Sequence, residues 1–267
     1  MRRALGRSLG IDIHRVRDLS VPRMTRSTLL FEVDEAFNEV LTRAVQLSES
    51  GPVGFADGAI RQKQRLWNLI RAVDLTRGAI GAVVECGTYR GLSAHLICTR
   101  LRDEDPAFTG KGFHVFDSFQ GISAPGARDR AGDPSIPSGK LRAAGMFGAS
   151  MDVVRATLAD FPDVELHPGW IPESLVGAPD GPVRFVHLDV DVHDPMRAAL
   201  EFFHPRLSPG GALLCDDYGA IRWPGVTAAV DEFARATGAR VLGLSTGQAI
   251  VLAPTPSPTP SLPYSDP

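Results

Sequence analysis

Two acid-rich stretches and one glycine turn hold the side chains of this sequence best suited to chemistry. "HLDVDVHDP" (187–195) supplies Asp189 and Asp191, and "LLCDDYG" (213–219) supplies Asp216 and Asp217. Ionised carboxylates that share a cleft repel one another, so these acids need raised pKa values or a counter-cation. Ligation by oxygen alone points to a hard ion, Mg²⁺ or else Mn²⁺ or Ca²⁺. Asp189 and Asp191 share a parity and point the same way only if their strand runs on to 191, so one could be a ligand and the other a base. His193 is a second candidate base, because free imidazole titrates near neutral pH, and it serves equally well as part of a helix start. Asp194 and Pro195 read as that helix start, and His187, inside a strand, as a core histidine.

The glycine turn is "VVECGTYRGLS" (83–93). Gly87 and Gly91 let the backbone around Thr88 and Tyr89 approach a ligand, and aim at it the amino terminus of a helix expected from 91, with Ser93 in its first turn. The spacing is not the Gly-x-Gly-x-x-Gly of a dinucleotide site, and no Lys-Ser/Thr follows, so a pyrophosphate ligand and a nicotinamide oxidoreductase are disfavoured. Glu85, at the end of the strand, would repel phosphate and welcome an ammonium group. In "HVFDSFQG" (114–121) the second strand ends at Asp117, placed to accept both hydroxyls of a ribose, with Ser118, Phe119 and Gly121 beside it. An acid for an amine and an acid for a ribose describe S-adenosylmethionine. Trp170, in "HPGWIPESL", is placed to stack on the adenine ring or wall its pocket, with core filling as the alternative.

These groups meet only if one sheet gathers them. Short apolar runs alternate with amphipathic stretches, which predicts an α/β domain with a mostly parallel sheet. Seven strands are expected, at 82–86, 113–116, 164–167, 184–188, 212–215, 239–244 and 248–253. Helices are expected between them at 91–102, 150–160, 195–205 and 225–237, and before them at 31–48 and 57–73. Only "STG" (245–247) separates the last two strands, so they must form an antiparallel hairpin. The loop from 119 to 150, about 30 residues of Gly, Pro and charge, exceeds ordinary connections and reads as a lid over 120–149. The catalytic domain is expected over 57–254. A basic arm (1–56) precedes it and a Pro/Ser/Thr-rich disordered tail (255–267) follows.

Composition narrows the classes further. With 43% hydrophobic residues in 267, one large core is within reach, and a net charge of −3 gives no drive toward nucleic acid or acidic membranes. No membrane span or secretory signal is read, and the three cysteines, Cys86, Cys98 and Cys215, have no metal spacing. A soluble, cytoplasmic protein without disulfides or zinc is the expectation. Residues 1–30 carry seven arginines, which suits a flexible or oligomer-contacting arm better than an organellar presequence.

"VVECGTYRGLSAHL", "FDSFQGI", "HPGWIPESL", "HLDVD", "LSPGGALLCDDYG" and "GVTAAVDEF" together resemble the successive motifs of the macrocin O-methyltransferase (TylF/MycF) family. The resemblance covers residues 57–253. It implies a class I, Rossmann-like methyltransferase with helices on both sheet faces, using S-adenosylmethionine and Mg²⁺ to methylate sugar hydroxyls in natural products. Carried over residue by residue, it implies Asp189, Asp216 and Asp217 as metal ligands and Asp191 as base or additional ligand. It also implies a homo-oligomer, a dimer or tetramer in which the arm helps to cover a neighbouring site. Sugar-modifying members have a Gly between the first two acids and a Tyr soon after, where this chain has Val190 and His193. Methylation of a catechol-like diol needs the same chelation, and a methyltransferase-like binding protein without catalysis is the reading from a different class.

Overall fold

The computed structural model describes residue 30 and residues 34–49, 59–130 and 144–254. Before the sheet come helices α1 (Glu35–Ser48) and α2 (Ala59–Leu75), the first started by Asp34, whose carboxylate accepts the Phe37 amide. The chain then runs β1 (Ala82–Cys86), α3 (Leu92–Glu104), β2 (Phe113–Asp117), α4 (Met151–Thr157), β3 (Glu165–Pro168), β4 (Val183–Leu188), α5 (His193–Phe203), β5 (Leu207–Asp216), α6 (Pro224–Thr237), β6 (Val241–Leu244) and β7 (Gln248–Leu252). All seven expected strands form, and they join into one sheet of order β3-β2-β1-β4-β5-β7-β6.

Strand alternation splits the core in two. Val83, Phe113, Val115, Phe185, Ala212, Leu214 and Ile250 meet α1 to α4 on one face. Val84, Cys86, Phe116, Val186, Leu188, Leu213, Cys215 and Val251 meet α5 and α6 on the other. Helices therefore cover both faces, which is why the central strands read as nearly unbroken apolar runs.

β1 pairs in parallel with both β2 and β4, and β4 with β5. β7 runs antiparallel between β5 and β6, as the three-residue connection requires. From β1 the chain first builds outward through β2 and β3, then crosses back to β4. The ends of β1 and β4 thus form the topological switch point where open α/β sheets bind ligands.

β5 is longer than the run 212–215, because Val183 pairs with Leu207 and Phe185 with Ala212, leaving 208–211 as a bulge inside the strand. Proline and two glycines read as a strand breaker, yet Gly211 packs against the carbonyls of Arg184 and Ser208, where a Cβ would crowd them. The middle of the expected lid (131–143), most of the arm and the tail from 255 lie outside the described residues. Among the described residues no helix is long and apolar enough to cross a membrane.

Candidate active site

Four strands end at the same edge, and after each the chain turns through a non-glycine residue with left-handed backbone. These are Tyr89 after β1, Phe119 after β2, Asp191 after β4 and Asp217 after β5, with φ of 51°, 55°, 62° and 64°. Each such conformation costs on the order of 1–3 kcal/mol, so its repetition at one edge marks a place where side-chain direction matters more than local comfort. Between these turns lies a cavity of about 490 Å³.

One half of the cavity is built by Asp117. Its carboxylate accepts the amides of Thr88 (2.8 Å), Tyr89 (3.2 Å) and Phe119 (2.7 Å), pinning the glycine turn to the end of β2. Burial pushes this carboxyl up, against the lowering pull of those amides. Gly87, Thr88, Tyr89, Ser93, Asp117, Ser118, Gly121 and Trp170 all line the cavity. Gly87 is required for a second reason: at φ 83° a Cβ would overlap the Asp189 carbonyl, so only glycine lets β1 and β4 end side by side. Gly91 faces away from the cavity, toward Val154 and Thr157, where it allows α3 to pack against α4. Phe119 also lies off the lining and packs into the core.

Glu85 sits one layer below the cavity instead of in its wall. It is fully buried, opposite His187 in register, and its Oε1 is 2.8 Å from His187 Nδ1. His187, expected as a core histidine, is buried but forms part of the cavity floor, with Nε2 3.6 Å from Asp216 Oδ1. Burial disfavours the imidazolium, but the adjacent Asp216 carboxylate and the hydrogen bond to Glu85 outweigh it and lift the pKa to about 10.

The four acids do converge. Asp189, Asp191, Asp216 and Asp217 line the cavity, and carboxylate oxygens of Asp189, Asp191 and Asp217 lie within 4.8 Å of one another. A second group, His187, Asp189 and Asp216, meets the same distance. Convergence does not come from strand parity, since β4 stops at Leu188. It comes from the left-handed turn at Asp191, closed by the Val192 amide on the Val190 carbonyl at 2.7 Å. Burial, reinforced by the charges of Asp216 and Asp217, pushes Asp189 up to about 7. Burial and the charges of Asp189 and Asp217 push Asp191 well above the carboxylate range. Asp216 goes the other way, because the charges of Arg65 and His187 and the Gln248 donor overcome its burial.

The partners of Asp216 were not legible in the sequence. Arg65 Nη2 lies 2.7 Å from Asp216 and 3.1 Å from Asp217, and Gln248 Nε2 lies 2.7 Å from Asp216. Arg61, Arg65 and Asn68 fall on one face of α2 at helical spacing, a pattern that also describes a solvated surface. Here that face is applied to the sheet end: Arg61 donates to the Thr246 carbonyl, and Asn68 to Thr246 and Gln248.

His193 is not brought to the cavity. Its ring nitrogens face Asp194 at 2.7 Å and Glu232 at 3.2 Å, and its amide donates to Asp129 at 2.8 Å. The helix expected to begin at 195 begins at His193, and this turns the ring toward α6.

A seven-stranded sheet of this order, with a glycine turn pinned by the acid of β2 at the switch point, is a class I methyltransferase fold. The solved structure of the O-methyltransferase NovP superposes with a TM-score of 0.65 at 23% identity, covering 83% of this chain and 98% of that one. The chain belongs to the macrocin-O-methyltransferase (TylF) family, whose sequence pattern matches residues 25–241. Among its relatives, 8-demethyl-8-(2,3-dimethoxy-alpha-L-rhamnosyl)-tetracenomycin-C 4'-O-methyltransferase of Streptomyces olivaceus is 34% identical over 161 residues, 58% of this chain and 60% of that protein. Demethyldecarbamoylnovobiocin O-methyltransferase of Streptomyces niveus is 29% identical over 176 residues, 64% of this chain and 65% of that protein. The matched stretch is thus just under two thirds of the length of these two relatives.

Proposed function

We propose that the protein transfers the methyl group of S-adenosylmethionine to a hydroxyl of a sugar or other polyol in natural-product biosynthesis. The observation that carries this reading is one cavity that joins the Asp117-pinned glycine turn to four carboxylates. Asp117 retains one lone-pair position, on Oδ1, beyond its three amide contacts and can accept a ribose hydroxyl there. Trp170, 37% exposed at the cavity wall, supplies a ring face for the adenine. The acceptor class is supported by family membership and by the rhamnosyl-bearing acceptor in the name of one relative.

The donor set suits a hard cation, since Asp189 offers a carboxylate oxygen within 4.8 Å of one from Asp216 in one group and of one from Asp217 in the other. Asp189, Asp216 and Asp217 would hold it. Bound there, Mg²⁺ would lower the pKa of an acceptor hydroxyl and fix its direction. Asp191 takes the hydroxyl proton, its raised basicity coming from burial beside Asp189 and Asp217. The acceptor oxygen forms its bond to the methyl carbon in line as the carbon–sulfur bond breaks, leaving S-adenosylhomocysteine. Positioning both partners in one cavity supplies much of the rate.

Calorimetric titration of S-adenosylhomocysteine into EDTA-stripped protein should give one site. Asp216→Ala should abolish turnover yet retain that binding. Full turnover of the variant in metal-free buffer would overturn the cation-assisted reading, and a panel of glycosides and catechols would separate the two acceptor classes.

A further inference from the structure

We propose that Arg65 is the cleft's own counter-cation: it holds Asp216 and Asp217 when no divalent ion is bound, and an arriving ion must take that pair from it. This rests on the cation-assisted reading above. A single guanidinium nitrogen, Nη2, bridges Asp216 Oδ2 and Asp217 Oδ1, two of the three carboxylates assigned there as ligands. Both carboxylates are under a tenth exposed, so solvent and salt screen the contact weakly.

Two features make the contact exchangeable. Arg65 does not grip either acid as a two-pronged fork, and its Nε is buried without a hydrogen-bond partner, so charge and not matched geometry holds it. Its side chain lines the cavity, which gives the guanidinium room to swing aside. When it does, Asp216 keeps its Gln248 donor on Oδ1 and frees Oδ2, while Asp217 frees Oδ1. The released oxygens are the two that Arg65 had bridged, and they are adjacent in the chain. Arg65 thus compensates Asp216 and Asp217 in the metal-free protein, and it lowers affinity for the cation by competing for the same oxygens.

The test is Mn²⁺ binding, read from the free-ion electron paramagnetic resonance signal, in wild type, Arg65→Met and Arg65→Gln after EDTA stripping and dialysis. Removing the positive charge should tighten Mn²⁺ binding about tenfold or more. The metal-free variants should melt below wild type, and saturating Mn²⁺ should close that gap. Arg65→Gln, which keeps a polar head, carries the comparison if Arg65→Met does not fold. Affinities within twofold of wild type, or weaker, overturn the role of Arg65 while leaving the cation site standing. Absence of Mn²⁺ binding in all three proteins at millimolar ion overturns the cation-assisted reading and this inference with it.

Discussion

At the scale of single residues, the site depends on a buried polar chain from Glu85 through His187 to Asp216, with Gln248 and Arg65 at its far end. Glu85 and His187 cannot lose each other cheaply, because both are buried away from water. His187→Ala leaves Glu85 fully buried and unpaired, and should cost about 3–5 kcal/mol in urea unfolding near pH 6. The sign of its pH dependence follows from the raised imidazole pKa. A group whose folded pKa exceeds its unfolded value stabilises fully below the unfolded value, near 6.5, and loses that contribution as pH climbs toward about 10. The gap in stability between metal-free wild type and His187→Ala should therefore narrow from pH 6.5 to 10. A gap that widened over that range would mean that His187 is neutral in the folded protein.

At the scale of elements, the acid-bearing turns are fixed by contacts from outside their own strands. α5 begins directly after the Asp191 turn, and the N-cap residue Val192 offers no side-chain cap. The cap comes instead from Asp129, in a short 3₁₀ turn (Ala127–Asp129) of the lid base, which accepts the His193 amide through Oδ1 and the Gly126 amide through Oδ2. Arg128 adds an ion pair to Glu232 of α6. Asp129→Ala should therefore cost about 0.5–2 kcal/mol, the usual range for losing a cap, and Asp129→Asn should recover most of it, as judged by thermal melts. Gly225→Ala should disturb the same junction from the other side, since a Cβ there would overlap the Asp129 carboxylate. Gly87→Ala tests the switch point: forcing β1 away from the Asp189 carbonyl should weaken S-adenosylhomocysteine binding at least tenfold in calorimetry. Unchanged affinity would show that the turn does not hold the donor.

At the scale of the whole molecule, one cavity at the sheet edge couples donor binding to global stability, because its walls come from the turn after β1 and from β2, β4, β5 and α2 together. S-adenosylhomocysteine at 100 times its dissociation constant should add about 2.7 kcal/mol, read as a rise of a few degrees in melting temperature. The sequence by itself determined the sheet, the order of its elements and the terminal hairpin, because alternating apolar runs, turn residues and a three-residue connection are local signals. It also named the acids and the glycine turn, since those residue types have few other uses at strand ends. Only the tertiary structure decided which of them face the cavity. Glu85 drops beneath the floor because strand alternation carries it to the α2 face and register sets it opposite His187. His193 leaves the site because α5 starts two residues early, and Arg65 enters it because the polar face of α2 turns toward the strand ends. Register, helix start and helix rotation are properties of pairs of elements, so no single stretch of chain encodes them.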